Sequence, residues 1–237
     1  MLAVMEGLFR SVVTLPTHQE LEGIGLDFAA KAGSDTFSKC VGVIDGSHVR
    51  VFSPRGMNEA YINRKLFYSL QMQVLCIGSG KINDFYAGFP GSVHDARVLR
   101  HSSLYANAHY PPEGYFIIGD GGYPCRLRPI YLMVPFRAPQ NRLETLFNHK
   151  LSKARIVVER VFGIMKTRWR CIFTKTLELR VAQAVKVITS CAVMHNICIT
   201  AGDVLLDHDN MQQRNGLKVV EGDVHGEGFR ERLVASL

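Results

Sequence analysis

The chain has 237 residues, 47% of them hydrophobic, and 28 Lys and Arg against 21 Asp and Glu give it a formal charge of +7. That much apolar material with so few charges excludes disorder as the dominant state, and the length suits one large domain with or without ragged ends. Six cysteines (Cys40, Cys76, Cys125, Cys171, Cys191, Cys198) fall at irregular intervals with no C-x-x-C pair, so packed thiols in a reducing compartment and no secretory leader are expected. The longest apolar stretch, 181–199, is interrupted by Gln183, Lys186, His195 and Asn196, too polar for an ordinary membrane span, so a soluble protein is expected.

Residues 1–40 carry mixed helical patterning broken by Gly23, Gly25 and Gly33. From Val41 the pattern changes. Residues 41–44 predict a short buried strand ending at Asp45-Gly46, and Val49 and Val51 a second strand after a tight turn. Tyr68, Leu70, Met72, Val74 and Cys76 alternate with Ser69, Gln71 and Gln73, the period-two pattern of a half-buried strand. Residues 82–87 are expected to return antiparallel to it through Gly78-Ser79-Gly80. Ser92-x-x-Asp95 resembles a capping box opening a helix through Leu99 towards Leu104. A further apolar strand, 115–119, stops at Asp120-Gly121-Gly122, and 132–134 predicts another that ends at Pro135. Residues 141–166 predict one or two helices with Ile156, Val157, Val161, Phe162, Ile164 and Met165 in the core, and 181–199 a more buried one. Strands in a block, then a helix, then one or two strands and more helices argue for a mixed sheet with helices packed on it.

Charge is unevenly placed. Residues 1–40 hold three basic and five acidic side chains and residues 201–237 four and seven, whereas 41–200 hold 21 and nine. Between Lys150 and Arg170, seven cations surround a single acid, Glu159. Such a run is either a solvated face or the footprint of a polyanion, and the charge count alone leaves both open.

Asp45 and Asp120 are expected at the carboxyl ends of strands, where open sheets gather ligands, although each Asp-Gly also fits a plain turn. Arg155, Glu159 and Lys166, four and seven residues apart, project from one helix face. Glu159 there is either an ion-pair partner of Arg155 or Lys166, or a metal-holding acid beside cations that hold a nucleic-acid strand. Cys191, His195 and Cys198 share a helix face too, but the surrounding apolar residues favour core packing over a zinc site.

Four ordered motifs sharpen these choices: Val-Ile-Asp-Gly-Ser-His (43–48), Phe-Pro-Gly-Ser-Val-His-Asp-Ala-Arg (89–97), Ile-Gly-Asp-Gly-Gly-Tyr-Pro (118–124) and Val-Glu-Arg-Val-Phe-Gly-Ile-Met-Lys-Thr-Arg-Trp (158–169). Together they resemble the Harbinger (PIF) type DDE transposases and the nucleases derived from them, over roughly residues 41–200. The resemblance implies an α/β, RNase H-like mixed sheet flanked by helices, and a nuclease hydrolysing DNA phosphodiester bonds with Mg²⁺ or Mn²⁺. It makes Asp45, Asp120 and Glu159 the catalytic, metal-holding acids. Asp95 is a secondary ligand, with a helix-capping role as its structural alternative. Arg155, Lys166, Arg168 and Arg170 are the expected DNA contacts. Arg155, Glu159 and Lys166 are similar to a signature of related bacterial transposases, but Ser152 stands where that signature has Tyr; Ser47 and Gly121 also depart from common Thr and Ser.

The expected organisation is a helical remnant at 1–40 without a complete helix-turn-helix domain, a DDE endonuclease domain at 41–201, and a polar, mostly disordered tail at 202–237. Expected partners are DNA and a separate DNA-binding protein that supplies targeting; no membrane is expected. The expected location is the nucleus, with the cytoplasm as a further site. The alternative is a domesticated, catalytically silent DNA- or protein-binding module of the same fold.

Overall fold

The computed structural model describes residues 2–203 and 223–237. In chain order, α1 (Leu2–Val12) and α2 (Leu21–Ala32) lead into β1 (Cys40–Arg50); α3 (Asn58–Tyr61) lies in the loop before the hairpin of β2 (Ser69–Cys76) and β3 (Ile82–Pro90). Next come α4 (Asp95–Arg100), α5 (Ser103–Asn107), β4 (Phe116–Ile118) and β5 (Leu132–Met133), then α6 (Arg142–Arg168), α7 (Arg170–Phe173), α8 (Val181–Thr200) and α9 (Val224–Ala235). The strands form one mixed sheet in the order β3-β2-β1-β4-β5, with β1, β2 and β3 antiparallel and β4 and β5 parallel to β1 and to each other. Helices flank this sheet in an RNase H-like α/β arrangement.

Two departures from the sequence expectation matter for the site. Asp45-Gly46 is not a turn: β1 runs through it as one strand, with Asp45 opposite Val74 and Gly46 opposite Gln73. And β2 is not half-buried: Ser69, Gln71 and Gln73 are as enclosed as the apolar positions between them. The polar alternation marks a second covered face, not a solvated one.

The long helix α6 starts at Asn141, whose side chain accepts the Glu144 N–H at 2.9 Å, and buries Phe147, Leu151, Ala154, Val158, Val161 and Met165 along one stripe. Helix α8 is apolar and long enough to cross a membrane by length and composition alone, yet it packs on β3 and α1. Its Asn196 fixes that docking, accepting the Ile82 N–H at 2.8 Å and donating to the carbonyls of Ile82 (2.6 Å) and Val12 (3.0 Å). His195 is buried with Nε2 at 2.9 Å from the Gly80 carbonyl, and burial pushes its pKa down.

At the C-terminus, 224–235 form a helix where a tail was expected, while 204–222 lie outside the described residues. Asp223 caps α9 by accepting the Gly226 N–H at 2.6 Å; Phe229 meets Phe116 edge-on at 6.1 Å, and Arg230 lies 3.9 Å over the Phe136 ring. Gly226 sits where a Cβ would come within 2.8 Å of the backbone at Cys125 and Arg126, so the residue that weakens the helical pattern is what lets the helix dock.

Candidate active site

Asp45 is buried in the middle of β1. Its Oδ1 accepts its neighbour's N–H at 2.7 Å, and its Oδ2 accepts a charge-assisted bond from Arg155 Nη2 of α6 at 3.3 Å. The parallel register Val43↔Ile118 sets the level of the second acid. Asp45 lies two residues further along β1, and Asp120 two residues past Ile118, just beyond the end of β4. Asp120 Oδ1 accepts the Gly122 N–H at 2.9 Å.

Asp95 comes from the other side of β1. The capping box expected at Ser92 does not form: His94 is the N-cap, Asp95 is the first residue of α4, and its Oδ1 accepts from Gln71 Nε2 of β2. A side chain at Gly46 would collide with that Asp95 oxygen. At Gly122 an added Cβ would lie 3.0 Å from Asp120 Oδ1 and 3.2 Å from Asp95 Oδ2. The two glycines of the Asp-Gly motifs therefore leave the space that carboxylates fill.

Tyr123 is buried among Asp95, Asp45 and Asp120 and has Oη 3.4 Å from Gln73 Oε1. Burial first, then these three acids, push its pKa well up, with Arg155 pulling the other way, so the phenol keeps its proton and donates to Gln73. Gln71 Oε1 and Gln73 Nε2 have no hydrogen-bond partner among the described residues.

The α6 residues divide. Arg155 reaches Asp45; Glu159, one turn on along the same flank, is exposed and makes no ion pair among the described residues; Lys166 is half-buried. Arg168 is turned onto Asp203, with Nη1 2.5 Å from Oδ2 and Nη2 2.6 Å from the carbonyl, so it ties the end of α6 to the end of α8 and is not an open cation. Arg170 opens α7 and is exposed.

Oxygen donors of this kind suit a hard divalent cation, and the orphaned Gln71 amide oxygen beside Asp95 offers a ligand water an acceptor. The donor chemistry thus fits Mg²⁺ or Mn²⁺. The spacing is more open: among the described residues no three His, Cys, Asp or Glu side chains stand together closely enough to hold a metal ion, and Arg155 supplies the positive charge at Asp45.

Sequence reasoning missed Gln71, Gln73 and Tyr123, and with them the Asn63-Arg64-Lys65 turn, whose Arg64 Nη2 donates to His94 Nδ1 at 2.9 Å. The two buried glutamines on one strand face were the available signal, since unpaired amides are costly in a core.

Residues 44–196 match the family model described as DDE superfamily endonuclease. A bovine (Bos taurus) protein named "Putative nuclease HARBI1" is 30% identical over 166 residues, covering 68% of this chain and 46% of the relative. The human protein of the same name is 29% identical over 168 residues with the same coverage, and "Protein ALP1-like" of Arabidopsis thaliana is 27% identical over 195 residues, covering 75% of this chain and 47% of that protein. The chain thus spans about half the length of the curated relatives it matches. No solved structure gives a significant match. With its mixed sheet, its acids at the matching motifs and a family match over more than half its length, the chain belongs to the DDE superfamily endonucleases, among the relatives of HARBI1 that derive from Harbinger transposases.

Proposed function

We propose that this protein is a divalent-metal-dependent nuclease that hydrolyses phosphodiester bonds in DNA, with Asp45, Asp120 and Glu159 as catalytic metal-holding acids and Asp95 as a further ligand. One observation carries the reading: Asp45 within β1 and Asp120 just past the end of the neighbouring parallel strand β4 each follow the Val43↔Ile118 pair by two residues, and Asp95 reaches the Asp120 side, three buried or half-buried carboxylates inside a segment where 21 basic side chains outnumber nine acidic ones. Scarce negative charge concentrated in a cationic domain is costly unless a cation offsets it. A bound Mg²⁺ or Mn²⁺ would supply Lewis-acid stabilisation of the phosphoryl group and an activated water.

The chain's own residues do the rest. Gln71 orients Asp95, Gly46 and Gly122 leave room for the acids to approach the backbone, and Tyr123 holds Gln73 beneath them. In this reading Arg155 and Lys166 of α6 and Arg170 of α7 hold phosphates, with Arg155 exchanging its Asp45 contact for a phosphate. Such a substrate fits a nuclear location and a separate DNA-binding protein that supplies targeting. The test is supercoiled plasmid incubated with Mg²⁺, with Mn²⁺ and with EDTA. Nicking in either metal and none in EDTA supports the reading; an intact plasmid in all three, with folded protein, contradicts it.

A second reading, a catalytically silent binding module, is favoured by the Arg155 bond to Asp45 and by the missing three-ligand cluster among the described residues. Calorimetry separates the two: the nuclease takes up Mn²⁺ and the silent module does not.

A further inference from the structure

The loop between β1 and β2 ends in a tip of unusual construction. Asn63, only 4% exposed, accepts the N–H groups of Lys65 (2.9 Å) and Phe67 (3.3 Å) on its side-chain oxygen and donates Nδ2 to Ser69 Oγ at 2.9 Å. Its backbone closes the same loop, the carbonyl accepting the Leu66 N–H at 2.9 Å and the N–H donating to the Phe67 carbonyl at 3.0 Å. One buried side chain therefore fixes Arg64, Lys65 and Leu66 in a single presentation. Arg50 lies 3.8 Å over the Phe67 ring and braces the tip from below.

Leu66 is 81% exposed and has φ +59°, a left-handed conformation that a branched side chain adopts at a cost. The fold gains nothing from an apolar residue held there. The tip also stands beside the acids: Gly91 and Ser92 N–H groups donate to the Ser69 and Ala60 carbonyls at 2.8 and 3.2 Å, and Arg64 bonds His94, the residue before Asp95.

We propose that Arg64-Lys65-Leu66 is a DNA-engaging element of the nuclease, its two cations on phosphates flanking the scissile one and its leucine pressed against the groove face of the duplex as an apolar wedge. The tip's charge selects the occupant. Residues 50–68 carry Arg50, Arg55, Arg64 and Lys65 against Glu59 alone, and a cationic, apolar-tipped loop bonded to the residue before Asp95 matches a polyanion whose reacting phosphate lies at the acids. The choice of DNA rests on the nuclease reading above.

The test is anisotropy of a labelled duplex titrated with the full chain in EDTA, between about 50 and 200 mM salt. Lys65→Gln is expected to lower the slope of log affinity against log salt by about 0.9, and Arg64→Ala with Lys65→Gln by about 1.8. Leu66→Ala should weaken binding about fivefold with the slope unchanged, as for the loss of one partly buried apolar side chain. Arg64→Lys with Lys65→Arg should keep the wild-type slope. Circular dichroism melts check that each variant is folded; Lys65 is exposed, so Lys65→Gln keeps the test open if Arg64 variants unfold. Unchanged slope and affinity in folded tip variants, or a wild type that binds no DNA, overturns the proposal. A wild type that binds through the tip but never cleaves would overturn the nuclease reading and leave the tip standing.

Discussion

Replacing Arg155 with Met removes the guanidinium charge bonded to Asp45 while keeping most of the side chain's packing. The Asp45 side chain is 4% exposed and that of Arg155 16%, and their 3.3 Å contact is worth about 5 kcal/mol of attraction at an effective dielectric near 20. Desolvation cancels part of it, and losing one partner of such a buried pair typically costs about 3–5 kcal/mol because the other charge is left uncompensated. In EDTA, Arg155→Met is therefore expected to lose about 3 kcal/mol in urea denaturation, and the double variant with Asp45→Asn to recover most of that. Adding Mn²⁺ should narrow the gap between the two proteins. A cation at about a hundredfold excess over its Kd adds about 2.7 kcal/mol to whichever protein binds it, and the variant, with no arginine to displace, should gain more than the wild type. A loss below about 1 kcal/mol in EDTA, or equal metal stabilisation of both proteins, would refute the idea that Arg155 stands in for the cation.

Other outcomes follow from neighbouring features. Gly46→Ala sets a methyl against the Asp95 carboxylate and should cost about 1–3 kcal/mol by denaturation and weaken Mn²⁺ binding by calorimetry. Leu66→Gly relieves the left-handed strain and should stabilise the fold by about 1 kcal/mol while weakening DNA binding, a trade visible by comparing melts with anisotropy. Burial pushes the Asp84 carboxyl up to about 6, with the Ser103 hydroxyl pulling it back down. The folded pKa is raised, so the folded state binds more protons between about pH 4 and 6 and stability falls as pH rises through that window. Asp84→Asn should therefore be more stable than wild type above pH 6, by at most about 3 kcal/mol, with the gain gone below about pH 4, as melts across pH would show.

The sheet and the long helices were legible because apolar periodicity is local information: 82–87 returned to β2 as expected, and the helix predicted for 181–199 is α8. Asp45, Asp120 and Glu159 were singled out by the resemblance to family motifs, and the surroundings of the acids were not legible in the sequence. Asp45-Gly46 has the composition of a turn, and only tertiary structure shows that its glycine yields space to a carboxylate from α4. Ser92-x-x-Asp95 has the spacing of a capping box, yet Asp95 is held by Gln71, a partner no local rule names. Gln71 and Gln73 themselves resembled the wet side of a half-buried strand until α4 and Tyr123 covered them. Helix α9 was hidden for a similar reason, since two glycines dilute its period and one of them is its docking point.

The central claim, that the acids carry DNA hydrolysis, is tested most directly by plasmid nicking in Mn²⁺ with wild type, Asp45→Asn, Asp120→Asn and Glu159→Gln, each confirmed folded. The account predicts that wild type nicks and that each substitution lowers the rate by at least about 100-fold, as expected where metal holding is lost. Equal nicking by wild type and all three variants would contradict it.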